Sequence, residues 1–325
     1  MDYNRFYKIF DGENLDREEV EFIAKNTETE KLSAFANNIR EHYHKDRIKL
    51  CAAMNLKSGK CNEDCKYCSQ SGFYNTCVQV YPMQDVERVL SYAAENEKNG
   101  VTNFELSTSG GKLDYLDKEK LLDIYRKLSK KTSMCLCGAH GLLNSVEEAK
   151  ELKQAGLTVY QHNLQTSRNY FSNVITTHSY DDRLNTLKYA KKAGLVLCSG
   201  GIIGLGESMS DRLDMAFDLR EIGIASMPIN ILNPIKGTPY GNKGTMVTKD
   251  DIIRTIALYR IIMPKIKIIY GAGRSFLGDE QISAYYSGLN GSVVGKFLTT
   301  PNAGMDEDID IIHKAGFIID RIDDR

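Results

Sequence analysis

Three cysteines carry the most chemical information in this chain. Cys61, Cys65 and Cys68 stand in Cys61-Asn62-Glu63-Asp64-Cys65-Lys66-Tyr67-Cys68, a C-x3-C-x2-C spacing. Three thiolates on one short loop can converge on one metal centre. A structural zinc site closes with four ligands, often as two C-x2-C pairs far apart, and no second such pair occurs. A 4Fe–4S cube is ordinarily held by four cysteines. Three leave one iron without a protein ligand, and that iron is open to a substrate. The bland alternative, a zinc knuckle or unrelated thiols, lacks its fourth ligand.

The remaining cysteines are Cys51, Cys77, Cys135, Cys137 and Cys198. Eight in 325 residues are too sparse for a disulfide scaffold, and none lies beyond Cys198. Clustering of this kind in a reducing compartment points to metal. Cys77 reads as structural. Competing motifs are absent. Gly291-Ser292-Val293-Val294-Gly295-Lys296-Phe297 lacks the P-loop spacing, and no G-x-S-x-G or H-E-x-x-H occurs. His42, His44, His140, His178 and His313 are isolated in sequence and read mostly as surface or loop residues.

The elements that must position these groups follow from patterning. Charged amphipathic segments end in a small-residue stop and lead into short apolar runs, as in Lys153-Gln154-Ala155-Gly156 before Leu157-Thr158-Val159-Tyr160 and Lys192-Ala193-Gly194 before Leu195-Val196-Leu197-Cys198. Glycine suits such a helix end because it adopts positive φ without strain. Strands are expected near 48–54, 102–107, 133–138, 157–163, 194–199, 227–232, 266–270 and 291–297. Helices are expected near 84–98, 117–130, 145–154, 181–192, 208–221, 249–262 and 279–287. Strict alternation implies a parallel sheet with right-handed crossovers, and eight βα units match a (β/α)8 TIM-type barrel. An open doubly wound sheet is the alternative. One α/β domain spans 1–325: an N-terminal helical extension over 1–45, with a helix starting at Leu15-Asp16-Arg17-Glu18-Glu19, then the barrel over 46–302 and a C-terminal segment over 303–325.

Composition excludes other classes. Lys plus Arg is 42 and Asp plus Glu is 43, for a net charge of −1, so no broad nucleic-acid-binding surface is expected. No apolar run reaches the ~20 residues of a membrane span, and Met1–Phe22 lacks a signal-peptide core. A cytoplasmic enzyme is the expectation.

The cysteine loop after a first barrel strand resembles that of the radical S-adenosylmethionine enzymes. In that family the open iron chelates S-adenosylmethionine, and an electron from the cluster cleaves it to a 5′-deoxyadenosyl radical. Such a cofactor supplies the reactivity that an unactivated C–H bond lacks, and a closed barrel shields it from water. Within the superfamily, Cys61 to Ser71 resembles the cluster loop of the biotin synthase family. So do Tyr160 to Ser167, Cys198 to Glu207, Pro228-Ile229-Asn230 with Lys236-Gly237-Thr238-Pro239, and Gly271-Ala272-Gly273-Arg274. These blocks span about 48–300.

The resemblance implies sulfur insertion into dethiobiotin, with sulfur supplied by a second, auxiliary cluster. In the family that cluster is a 2Fe–2S centre held by three cysteines and an arginine. Arg274 matches the arginine, and Cys198 and Cys135 match two cysteines. Glu105 stands where the third is expected. Cys137 and Cys51 are unexpected additions. Alternate strand residues share a face, so Cys135 and Cys137 both point inward if either does. Cys51, Cys135, Cys137 and Cys198, with Arg274 nearby, are therefore expected to form an auxiliary cluster pool, favouring a four-iron centre over 2Fe–2S. The resemblance also places Tyr67, Asn163, Gln165, Arg183, Gly200, Gly201 and Gly204 against S-adenosylmethionine, and Asn163 and Asn230 against dethiobiotin. It implies an electron donor such as flavodoxin or ferredoxin, iron–sulfur assembly proteins and a homodimer. Relatives of the hydrogenase-maturation or methylornithine-forming kind share loop and barrel but need no sacrificial sulfur. An electron carrier or scaffold would not need eight βα units.

Overall fold

Alternation of apolar strands and amphipathic helices closes into a barrel in the computed structural model, which describes residues 3–321 except 242, 245–246, 297 and 300–303. The strands are β1 (Arg47–Lys57), β2 (Asn103–Thr108), β3 (Cys135–Ala139), β4 (Val159–Gln161), β5 (Val196–Cys198), β6 (Gly201–Ile203), β7 (Ser226–Ile231), β8 (Lys267–Tyr270) and β9 (Gly291–Val293). All pair in parallel, and β9 returns to β1 to close the ring. The fifth stave is split: β5 and β6 both pair with β7, separated by Ser199-Gly200. A Cβ on Gly200 would lie 1.9 Å from the Pro228 carbonyl oxygen, so only glycine lets the two staves approach. A final strand, β10 (Ile318–Ile319), pairs with the start of β1.

Helices α1 (Arg17–Asn26), α2 (Thr29–His44), α3 (Val86–Lys98), α4 (Tyr115–Leu128), α5 (Val146–Gln154), α6 (Tyr180–Lys192), α7 (Met209–Ile222), α8 (Lys249–Ile262), α9 (Gln281–Tyr285) and α10 (Met305–Lys314) surround the barrel. The expected start at Leu15-Asp16 is realised as a capping box, in which Asp16 accepts from the Glu19 N–H and Glu19 accepts from the Asp16 N–H. Ser179 with Asp182, Ser208 with Asp211 and Thr248 with Asp251 repeat it at the starts of α6, α7 and α8. These caps fix where each helix leaves the upper rim.

The N-terminal helices pack on α8. Ser33 and Ser287 hydroxyls meet at 3.0 Å, and Arg254 donates to the Thr27 carbonyl at 2.9 Å. Covered on both sides, α8 is buried from Ile252 to Ile262 apart from Arg254. Its buried Arg260 donates to the carbonyls of Gly288 (2.8 Å) and Ile266 (2.8 Å) and to Asn290 Oδ1 (2.7 Å), which satisfies the guanidinium where water cannot.

Two readings of isolated residues are corrected here. His140 is buried in the core, held by Tyr125 (2.7 Å) and Thr108 (3.2 Å). Cys77 is exposed rather than structural.

Candidate active site

The loop after β1 is tied at both ends. The Cys61 N–H donates to Gln70 O (2.9 Å), the Gly72 N–H returns to Cys61 O (2.7 Å), and the Cys68 N–H donates to Cys65 O (2.9 Å). Lys66 reaches across to Val174 and Asn173, and the Asp64 carboxylate accepts from the Thr176 N–H at 2.8 Å. The loop is thus clamped to the segment between β4 and α6.

Burial pushes the Cys65 thiol up to about 12 and raises Cys61 and Cys68. Backbone N–H groups oppose this, Glu63 and Gly110 at Cys61 and Gln70 and Ser71 at Cys68, and so does the Arg183 guanidinium. Among the described residues no three His, Cys, Asp or Glu side chains converge as they would on a metal ion. Three thiols on one loop, spread apart yet close enough to repel one another as thiolates, suit the corners of an iron–sulfur cluster better than a single ion. N–H donors and a guanidinium around them suit an anionic cluster.

Beneath the loop lies a cavity of about 290 Å³ inside the barrel. Tyr67, Cys68 and Gln70 form its roof, and the Tyr67 hydroxyl lies near enough to the Cys65 thiol to influence its ionisation. Asn163, Gln165 and Asn230 line its flank. Gln165 has φ 75°, a strained conformation for a residue with a side chain, and its Oε1 is buried without a hydrogen-bond partner. Strain and an orphaned acceptor together mark a ligand-facing residue. Asn163 Oδ1 accepts from the Gly200 N–H (3.1 Å). Asn230 Oδ1 accepts from the Ala272 N–H (2.9 Å), while its Nδ2 donates to Gly201 O (3.3 Å).

Gly200, Gly201 and Gly204 do not line this cavity; Ile202 does. Their missing side chains serve backbone packing instead. A Cβ on Gly201 would come within 2.7 Å of the Gln165 carbonyl, and Gly204 has φ 98°. Arg183 is 7% exposed. Its Nη1 donates to Asn163 O (2.7 Å) and its Nε to His178 Nε2 (3.0 Å). His178, read from sequence as an isolated surface or loop residue, sits with Glu63 at the upper rim. The signal was its place just before the N-cap Ser179, where a helix of a parallel barrel leaves the C-terminal face.

The cavity floor carries Cys51, Cys137 and Cys198 from β1, β3 and β5, with Glu105 from β2. Burial pushes Cys51 and Cys198 up to about 12 and raises Cys137 well above its usual value. Burial also pushes the Glu105 carboxyl up to about 7. Asn103 Nδ2 donates to the Cys137 sulfur at 3.5 Å. Cys135 does not line the cavity. It stands two residues before Cys137, half-buried and near enough to Cys51 to influence its ionisation. Arg274 is not brought to the thiols. Gly273 has φ 80° and turns the chain outward, so Arg274 forms a buried ion pair with Asp308 and donates to Ser292 Oγ (3.1 Å). The β8 residue that faces the cavity is Ile269. Three interior thiols thus surround one space with a half-buried fourth beside them, and no arginine among the described residues lines it.

A closed parallel barrel with a three-cysteine loop above its cavity defines a radical S-adenosylmethionine enzyme. Residues 56–219 match the Radical SAM superfamily, and 228–318 match the Biotin and Thiamin Synthesis associated domain. Biotin synthase from Acetivibrio thermocellus is 46% identical over 313 residues, covering 96% of this chain and 97% of its relative. Biotin synthase from Clostridioides difficile is 44% identical over 282 residues, covering 87% and 86%. The chain belongs to the biotin synthase family. Among solved structures, methylornithine synthase superposes with a TM-score of 0.84 at 15% identity, over 98% of both chains. The FeFe-hydrogenase maturase from Carboxydothermus hydrogenoformans superposes at 0.80 and 17%, over 98% of this chain and 79% of that one. These two share the fold.

Proposed function

We propose that this enzyme inserts sulfur into dethiobiotin to form biotin, drawing the sulfur from an auxiliary iron–sulfur cluster at the cavity floor that is four-iron rather than 2Fe–2S. The observation that carries this reading is the placing of Cys51, Cys137 and Cys198 around one space directly beneath the Cys61–Cys68 loop. With no arginine in that space, the set lacks a feature of the three-cysteine, one-arginine pattern and offers Cys135 as a flanking thiol. When bound, the loop cluster and S-adenosylmethionine supply hydrogen-atom abstraction, and the floor cluster supplies sulfur.

The chain's own groups bind and orient. Tyr67 roofs the site for an adenine ring. Gln165 presents an unpartnered amide oxygen to ribose hydroxyls, and Arg183 presents a guanidinium to a carboxylate. Asn163, held by the Gly200 backbone, and Asn230, held by the backbone of Gly201 and Ala272, have amide edges left to donate to and accept from a cyclic urea. The barrel wall excludes water from the space between. The single-domain reading rests on β9, the last stave of the barrel, closing on β1. No helix among the described residues is long and apolar enough to cross a membrane. An external one-electron donor, assembly proteins that rebuild the floor cluster, a homodimer and a cytoplasmic location complete the proposal.

The test is the triple variant Cys61→Ala, Cys65→Ala, Cys68→Ala, reconstituted anaerobically and examined by Mössbauer spectroscopy with iron and sulfide counts. A four-iron signal supports the floor cluster. A two-iron signal overturns its type, and a spectrum without bound iron overturns the sulfur source.

A further inference from the structure

The five N–H groups of Arg183 are used unequally. Nε donates to His178 Nε2 at 3.0 Å, and Nη1 donates to the Asn163 carbonyl at 2.7 Å. Nη2 meets no hydrogen-bond partner among the described residues. The guanidinium carbon lies 5.7 Å from the Phe171 ring centroid, and the His178 ring packs edge-on to the same phenyl at 5.8 Å. Arg183 is therefore fixed below and along two edges, and its charge acts on all three loop thiols.

An arginine has no acceptor and keeps its protons, so the contact at Nε requires a lone pair on His178 Nε2. The ring proton then sits on Nδ1, where Glu63 Oε2 accepts it at 2.5 Å. The Thr177 hydroxyl donates to the same oxygen. The His178 and Glu63 side chains are only 6% and 12% exposed. The chemistry of the partners thus sets one neutral tautomer.

We propose that His178 is a positioning residue that occupies one N–H of Arg183 and leaves Nη2, with the positive charge, for the carboxylate of a ligand bound against the cysteine loop. This rests on the reading of Arg183 as the partner of the S-adenosylmethionine carboxylate. A carboxylate in place of His178 would pair side-on with Nε and Nη2 and occupy the donors the ligand needs. The imidazole takes one donor and holds the Glu63 charge a ring's width away. Glu63 lies between Cys61 and Cys65, so the same contacts tie the cysteine loop to α6, which carries Arg183. Loop and arginine are set in register by one histidine.

The test measures binding of two probes to the reconstituted holoenzyme, S-adenosylmethionine and 5′-methylthioadenosine, which keeps the nucleoside but lacks the amino-acid carboxylate. His178→Phe should weaken S-adenosylmethionine about tenfold or more, the loss of a well-placed charge-assisted contact, and leave 5′-methylthioadenosine within about twofold. His178→Gln, which retains an acceptor for Arg183 and a donor for Glu63, should bind both probes within about threefold of the parent. His178→Glu should lose S-adenosylmethionine as His178→Phe does, although it restores an acceptor. Iron content should stay at the parent level in all three. Unchanged S-adenosylmethionine affinity in His178→Phe overturns the proposal, and so does an equal loss of both probes. Full affinity in Arg183→Met would instead overturn the reading of Arg183.

Discussion

Cys61, Cys65 and Cys68 hang on a loop whose N–H groups favour anionic sulfur at Cys61 and Cys68 and whose three thiols all feel the Arg183 charge. Cys51, Cys137 and Cys198 stand on three strands and face one another and the Glu105 carboxyl. Both sets lie in raised-pKa environments because both are buried, but their surroundings differ. At the rim, dipoles and a guanidinium partly offset the burial that raises the thiols. At the floor, the other thiols and Glu105 oppose anionic sulfur, and only Asn103, Ser226 and the nearby lysines favour it, so the charge of bound iron itself must make those thiols into thiolates. Both sets need metal to become thiolates, but the rim brings a guanidinium and loop N–H groups to that task.

The most severe way to break this contrast is to remove the rim. In Cys61→Ala, Cys65→Ala, Cys68→Ala, 5′-deoxyadenosine release should fall by on the order of 1,000-fold, the several kcal/mol that a bound metal group supplies, with floor iron retained on anaerobic counting. Removing one floor ligand should separate the two functions. In Cys137→Ala, product assays should show biotin falling by on the order of 100-fold while S-adenosylmethionine is still cleaved. If both activities fall together, the two sites are not distinct.

Arg274→Met probes the residue that the fold takes away from the thiols. It removes the ion-pair partner of the buried Asp308, so calorimetry should find a loss of about 3 kcal/mol, while iron per folded molecule stays unchanged. Glu105 offers a pH signature in the metal-free protein. Its carboxyl titrates near 4.5 when unfolded and about 7 when folded. Between those values the folded state binds more protons, so this group's contribution is fully present below 4.5 and is lost as pH rises through 7. Melting curves of metal-free Glu105→Gln should therefore show a gain over the parent at pH 8 that disappears near pH 4.5. The smallest effect belongs to Cys77→Ala. This exposed thiol serves neither site, and stability should stay within about 0.5 kcal/mol with iron unchanged.

The barrel was legible because each stave is a short apolar run bounded by helix stops and caps, which are local signals. The fifth stave was only half legible, because its break at Gly200 depends on the Pro228 carbonyl in a different stave. At the floor, strand parity placed Cys135 and Cys137 on one face, but parity does not give depth, and only closure shows that Cys137 reaches the cavity and Cys135 does not. Arg274 matched a sequence block, yet the turn at Gly273, where a Cβ would meet the Ile231 carbonyl at 2.0 Å, carries it outward. His178 carried no signal through its chemical partners, since Glu63 lies 115 residues away.

The seal between β9 and β1 also has a temporal meaning. Every cysteine has been synthesised by residue 198, whereas the stave that completes the wall arrives with Gly291–Val293, and β10, which pairs with the lower end of β1, later still. A growing chain therefore displays the edge of β1, with Cys51 on it, long before its last partners exist. Pairings so distant in sequence form late and slowly. The nascent protein passes through a stage in which every thiol of both sites is present and the ring is still open along one side.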